Sequence, residues 1–155
     1  MIERAEWKCG SPAALRELAQ ALATLDPRGV CIGLLGDLGA GKTTFAQGLG
    51  RGLGITREIT SPTFALMVEY DAACPLLHVD AYRLGPGESA GIGLEEALET
   101  WDGVAVVEWA DLVVDDLPGD CLFVRLTIGR EARHVQAWTN SERLKPIVRR
   151  WRAAS

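Results

Sequence analysis

The sequence predicts one α/β domain, spanning residues 1–155, with a mixed, mostly parallel central sheet, flanking helices and a late antiparallel hairpin. Three observations carry this expectation. Residues 30–35 and 104–107 are unbroken apolar runs of strand length, the pattern of strands buried on both faces. Leu15, Leu18, Ala19 and Leu22 form one helical stripe, and Phe45, Leu49 and Leu53 form another. Residues 121–128 and 133–138 are strand-like and are separated only by Gly129-Arg130-Glu131-Ala132.

Taken in order, residues 1–8 read as a short strand. Ser11-Pro12 supplies a helix N-cap followed by proline at the first helical position. Asp26-Pro27-Arg28-Gly29 is a turn into the first buried strand. That strand runs into Gly36-Asp37-Leu38-Gly39-Ala40-Gly41-Lys42-Thr43-Thr44, and the second helix follows, with Gly54 as its stop. Gly48, Gly50 and Gly52 each cost this helix about 1 kcal/mol against alanine, and close packing on the sheet is the expected compensation. Ser61-Pro62-Thr63-Phe64 precedes a strand over 65–70. Asp71-Ala72-Ala73 turns the chain into a strand over 75–80. Gly85-Pro86-Gly87 is loop, and residues 94–101 form a helix. The second buried strand, 104–107, ends in Glu108-Trp109. A turn at Leu117-Pro118-Gly119 leads to the hairpin, and a short C-terminal helix opens at Pro146.

The stretch from Gly36 to Thr43 reads G-x-x-x-x-G-K-T, the phosphate-binding P-loop, and it has the strand and helix that the motif requires on either side. The spacing has a physical basis. Glycine lets the backbone curl close around a phosphate, and the curled N–H groups and the helix N-terminus favour anions. Asp37, Leu38, Gly39, Ala40, Gly41, Lys42, Thr43 and Thr44 are therefore the candidate contacts for ATP or ADP. Lys42 is placed to bridge the terminal phosphates, and Thr43 to reach a Mg²⁺ ion shared with them. Such a site also needs an acidic residue at the tip of a neighbouring apolar strand. Asp80 and Glu108 both have that position, and ligands bind outside the carboxyl ends of strands in open α/β sheets. Lys42, Asp80 and Glu108 are the candidate catalytic residues; Thr43, Asp80 and Glu108 are the candidate metal ligands. His78 shares a strand face with Asp80 and either orients it or is a core histidine. Arg83 is a candidate arginine finger or a partner for Glu95 or Glu96, and Tyr82 a candidate for packing on the P-loop helix.

Composition sets the bounds. The 155 residues are 48% hydrophobic and 24% charged, with a net charge of −5, which argues against a broad nucleic-acid-binding face. The longest apolar run is far shorter than a membrane span. Glu3, Arg4, Glu6 and Lys8 do not suit a signal peptide, so a cytoplasmic protein is expected. Cys9, Cys31, Cys74 and Cys121 form no C-x-x-C pair and read as reduced, mostly buried thiols. His78 and His134 are the only histidines, too few for an ordinary zinc site. Arg143, Lys145, Arg149, Arg150 and Arg152 make a basic tail with two readings, a contact to RNA or an acidic partner, or a solvated helix face.

Four blocks occur in order: Gly36-Asp37-Leu38-Gly39-Ala40-Gly41-Lys42-Thr43, Ser61-Pro62-Thr63-Phe64, His78-Val79-Asp80-Ala81-Tyr82-Arg83-Leu84 and Glu108-Trp109. Together they resemble the TsaE (YjeE) family over most of the chain, from about Leu15 to the hairpin near Arg133. The resemblance implies a small bacterial P-loop ATPase that uses Mg²⁺. It implies work with TsaB and TsaD in forming N6-threonylcarbamoyladenosine at position 37 of tRNA, with ATP hydrolysis resetting the complex. By matching positions it implies Thr43 and Glu108 as Mg²⁺ ligands, and Asp80 serving the metal or the attacking water. Trp109 would lie beside the nucleotide, Ser61 to Phe64 would form a switch-like loop, and the family's hairpin arginine would be Arg133, with Arg130 the other candidate. One departure stands out: Leu15 occupies the place where the family often has a threonine in the first helix, and Ser11 is the nearest hydroxyl.

Two other functions fit a P-loop. A small-molecule kinase usually carries an arginine-rich lid, whereas the connection from Arg83 to Trp101 has Arg83 as its sole basic residue. A GTPase-type switch usually needs an N/T-K-x-D element, and none occurs.

Overall fold

The computed structural model describes residues 1–60, 66–85 and 87–155. Its strands are β1 (Glu3–Cys9), β2 (Cys31–Leu35), β3 (Met67–Tyr70), β4 (Leu76–Asp80), β5 (Val104–Glu108), β6 (Leu122–Ile128) and β7 (Arg133–Thr139). Its helices are α1 (Pro12–Ala23), α2 (Lys42–Gly52), α3 (Glu88–Gly91), α4 (Leu94–Thr100) and α5 (Lys145–Ala154). The strands form one sheet in the order β1-β7-β6-β2-β5-β4-β3. β6, β2, β5 and β4 pair in parallel at its centre, while β7 runs antiparallel to both β6 and β1, and β3 antiparallel to β4. This is the mixed, mostly parallel sheet with a late hairpin that the sequence predicts. The two apolar runs become β2 and β5, buried along their whole length.

Helices cover both faces. On one side Leu15, Leu18 and Leu22 of α1, Phe45 and Leu49 of α2 and Trp151 of α5 pack over Ile32, Leu34, Val104 and Val106. On the other, Leu94 and Leu98 of α4 cover Val79, Ala105 and Val107. The α1 cap is as the sequence predicts, with Ser11 Oγ accepting the Ala14 N–H at 3.0 Å and Pro12 in the first turn. Among the described residues, no helix is long and apolar enough to cross a membrane.

The structure departs from the sequence reading in three places. The glycines of α2 face α1, not the sheet. A Cβ on Gly48 would lie 2.8 Å from the Arg16 Cα and 2.9 Å from the Ala19 Cβ, and one on Gly52 would lie 2.5 Å from the Ala23 Cβ. Gly50 instead receives the Ile59 side chain. A short helix, α3, follows the loop glycines, and a 3-10 segment, Ala110–Asp116, fills the stretch after β5. Neither has enough periodicity to announce itself. Of the two readings of the basic tail, the solvated face is the one observed: Arg149 and Arg152 stay about half exposed while pairing with Glu3 at 2.8 and 3.2 Å, as does Arg143 while pairing with Asp120 at 2.7 Å. Lys145 pairs with Glu142, and Arg150 donates to the Leu25 carbonyl at 2.7 Å. Ser61-Pro62-Thr63-Phe64 lies outside the described residues.

Candidate active site

The P-loop leaves the carboxyl end of β2 and closes on the N-terminus of α2. Gly36, Gly39 and Gly41 all have positive φ, at 146°, 82° and 113°, a region that residues with a Cβ avoid. At Gly36 a second constraint applies, because a Cβ would stand 2.5 Å from the Leu126 carbonyl oxygen. Lys42, the first residue of α2, is 5% exposed. Its Nζ donates to the Gly36 and Asp37 carbonyls at 2.6 and 2.9 Å and lies 4.0 Å from the centre of the Trp109 ring. Burial pulls the Lys42 pKa below the usual lysine value, against the opposing pull of the Glu108 and Asp80 carboxylates. An anion beside Nζ would offset that desolvation.

Strand register brings the two acids together. Asp80 and Glu108 are direct partners in the β4–β5 ladder, and both close their strands. Glu108 is 3% exposed, and its two carboxylate oxygens each lie 3.1 Å from the Thr43 hydroxyl, which donates to them. The Asp80 carboxylate accepts the Tyr82 backbone N–H at 3.0 Å. Burial raises the Asp80 pKa, Tyr82's hydrogen bond opposes the shift, and the neighbouring Glu108 charge adds to it. A cation between the acids would relieve that repulsion. Lys42, Thr43, Asp80 and Glu108 thus line one open cavity of about 280 Å³ together with Gly41 and Thr44.

His78 is fully buried, and its imidazole does not turn to Asp80. Its Nε2 instead meets Glu108 Oε2 at 2.5 Å. The alternation along β4 places His78, Asp80 and Glu108 on the α2 side of the sheet, and the register puts His78 one pair diagonally back from Glu108. Tyr82 is half-exposed and packs on Trp109 at 4.7 Å between ring centres, not on α2. Trp109 has φ 59°, a left-handed turn that ends β5 and lays its indole under Lys42. Such a backbone is unusual for a bulky residue and marks a site where local strain is held by its surroundings.

Across the loop, Arg133 Nη2 donates to the Gly39 carbonyl at 3.3 Å. Arg133, Ser11, Leu15, Gly39, Ala40 and Thr44 border a second cavity of about 210 Å³. Leu15 lies so close that a Cβ on Gly41 would come within 2.6 Å of its Cδ2. The first helix therefore faces the P-loop with leucine, and the Ser11 hydroxyl caps α1 at the rim. Arg130 makes no contact of this kind among the described residues, so Arg133 is the hairpin arginine at the loop. Leu38 is exposed at the P-loop tip.

Comparisons with known proteins agree with this architecture. The family profile for "Threonylcarbamoyl adenosine biosynthesis protein TsaE" matches residues 9–136. A tRNA threonylcarbamoyladenosine biosynthesis protein TsaE from Bacillus subtilis (strain 168) is 42% identical over 122 residues, covering 78% of this chain and 76% of the relative. Its counterpart from Streptomyces coelicolor is 41% identical over 137 residues, covering 83% of this chain and 93% of the relative. The crystal structure of Bacillus subtilis YdiB superposes with a TM-score of 0.83 at 31% identity, covering 97% of this chain and 95% of that one. With the family profile matching residues 9–136 and relatives 41–42% identical over most of its length, this chain belongs to the TsaE family of threonylcarbamoyl adenosine biosynthesis proteins.

Proposed function

We propose that this protein is the Mg²⁺-dependent, ATP-binding and ATP-hydrolysing subunit in N6-threonylcarbamoyladenosine formation at tRNA position 37, cycling a TsaB–TsaD complex. The supporting observation is the convergence of Lys42, Thr43 and the strand-end pair Asp80–Glu108 on the mouth of the P-loop. The loop amides and Lys42 would bind the phosphates, while Asp37 to Gly41 and Thr44 shape the cradle. Trp109 and Arg133 would flank it on opposite sides. Asp80, beside Glu108 and less buried, is the residue to orient the attacking water.

The donor set suits Mg²⁺. Thr43, Glu108 and Asp80 offer hard oxygens, and among the described residues no group of three or more histidine, cysteine or acidic side chains forms a closed metal cage. Mg²⁺ needs no such cage, since it is usually held by one or two carboxylates together with substrate phosphates and water. When bound it would neutralise charge developing on the phosphates.

Activity is expected to depend on partners. Arg149 and Arg152 hold Glu3, and Arg150 the Leu25 carbonyl, at the surface of the fold, and tRNA contact is assigned to the complex. A P-loop site short of cationic groups hydrolyses slowly, and a partner can supply the missing charge. Weak turnover alone and marked stimulation by TsaB–TsaD are the expected results. Titrating that pair into the protein with ATP, with ADP and without nucleotide should give three different affinities. Reciprocity requires the partners to tighten ATP binding by the factor by which ATP tightens theirs. Equal affinity in the three states would sink the coupling, as would tRNA alone stimulating hydrolysis as well as the partners do. Phosphate appearing on an added small-molecule acceptor would instead support a kinase.

A further inference from the structure

We infer that His78 is a positioning residue for the Glu108 carboxylate, acting through its Nε2 atom. This rests on the reading of Glu108 as a Mg²⁺ ligand. The β4 positions around it, Leu76, Leu77 and Val79, are apolar and buried, and a branched aliphatic side chain would suit position 78 as core. Histidine is the costlier choice there. Its Nδ1 is buried without a hydrogen-bond partner among the described residues, an arrangement that proteins normally avoid. The other ring nitrogen accounts for that cost, lying 2.5 Å from Glu108 Oε2.

The geometry shows what the contact accomplishes. The terminal torsion of a glutamate is broad, so an unrestrained carboxylate rotates between many orientations. Thr43 Oγ1 lies 3.1 Å from both carboxylate oxygens and so does not select between them. His78 touches only Oε2 and removes that freedom. It thereby leaves Oε1 as the oxygen without an imidazole hydrogen bond, still within reach of the Thr43 hydroxyl. Such support of a ligand from behind typically changes metal affinity by about 10–100-fold when it is lost.

The amides of glutamine and asparagine separate the two nitrogens, because a glutamine side-chain nitrogen can occupy the place of Nε2 and an asparagine nitrogen only that of Nδ1. Purified full-length His78→Gln, His78→Asn and Glu108→Gln are compared with the parent protein by calorimetric ADP titration across a Mg²⁺ series, and by the spin-resonance signal of free Mn²⁺. Thermal melts report folding. His78→Asn is expected to need roughly tenfold or more metal to reach the parent's ADP affinity, with metal-free ADP affinity unchanged. His78→Gln should return close to the parent curve. If His78→Asn matches the parent while Glu108→Gln is shifted, His78 is only core and the inference falls. It falls equally if both His78 variants are shifted alike, if metal-free ADP binding drops in step, or if neither variant folds. If Glu108→Gln itself leaves the metal dependence unmoved, the metal-site reading fails first.

Discussion

Glu108→Ala should lower ATP hydrolysis by roughly 10²-fold or more, the scale of losing one transition-state contact, while ADP binding stays measurable. The asymmetry follows from where the carboxylate sits. Glu108 accepts from the hydroxyl of Thr43, the P-loop residue proposed to hold Mg²⁺, and is the ladder partner of Asp80, so its loss is expected to act on the metal and the water more than on the phosphate cradle. Asp80→Ala should behave in the same way, since its own anchor is the Tyr82 backbone. Lys42→Ala provides the contrast. Its ammonium lies 2.6 Å from the Gly36 carbonyl, within the loop. Its loss should weaken ATP much more than AMP, because it acts on the terminal phosphates. Calorimetry and single-turnover hydrolysis on the three variants separate the roles. Equal loss of ADP binding and turnover in the two acid variants would make those acids structural. Unchanged Mg-ATP affinity in the lysine variant would remove the loop from the nucleotide site.

The largest stability effect is expected at the opposite end of the chain. Trp151 is fully buried between Trp7, at 4.3 Å between ring centres, and Phe45, at 6.1 Å. Its indole N–H donates to the Leu18 carbonyl at 2.9 Å. Trp151→Ala removes that donor and leaves a cavity between α1, α2 and α5, at a cost of about 3–5 kcal/mol. A domain of this size has roughly 5–15 kcal/mol of stability in total. Each kcal/mol moves the melting temperature of such a chain by about 2–4 °C, so a fall near 10 °C is expected. Trp151→Phe fills most of the space and should lose about 1 kcal/mol, mainly the hydrogen bond. If Trp151→Ala melts within a degree or two of the parent protein, α5 is not part of the cooperative core.

What could be read from the sequence follows from how local each signal is. The P-loop was legible because its glycines, lysine and threonine act within nine consecutive residues between a strand and a helix. Asp80 and Glu108 were legible because each ends an apolar run, and strand ends are where such sites lie. The partner of His78 was not. Alternation along β4 places it on the side of Asp80, but only the β4–β5 register shows that the imidazole reaches diagonally to Glu108. The ion pairs of the basic tail were equally out of reach, since Arg149 meets Glu3 at a separation of 146 residues. The backbone of Trp109 was hidden too, because no local residue preference announces a tryptophan at positive φ.

The glycine row on α2 carries a lesson for anyone engineering this protein. Replacing helical glycine by alanine is a standard route to thermostability and is worth about 1 kcal/mol per site from helix propensity. At Gly48 and Gly52 the new methyl groups would drive into the backbone and the alanine methyls of α1. The helix would gain and the domain would lose, because α1 would have to retreat from the helix that opens with Lys42. Leu15 would retreat with α1, and it stands against Gly41 of the phosphate loop. A change chosen for heat tolerance at Gly48 would therefore arrive as a change in nucleotide affinity, four residues and one helical turn away from any residue proposed to touch phosphate.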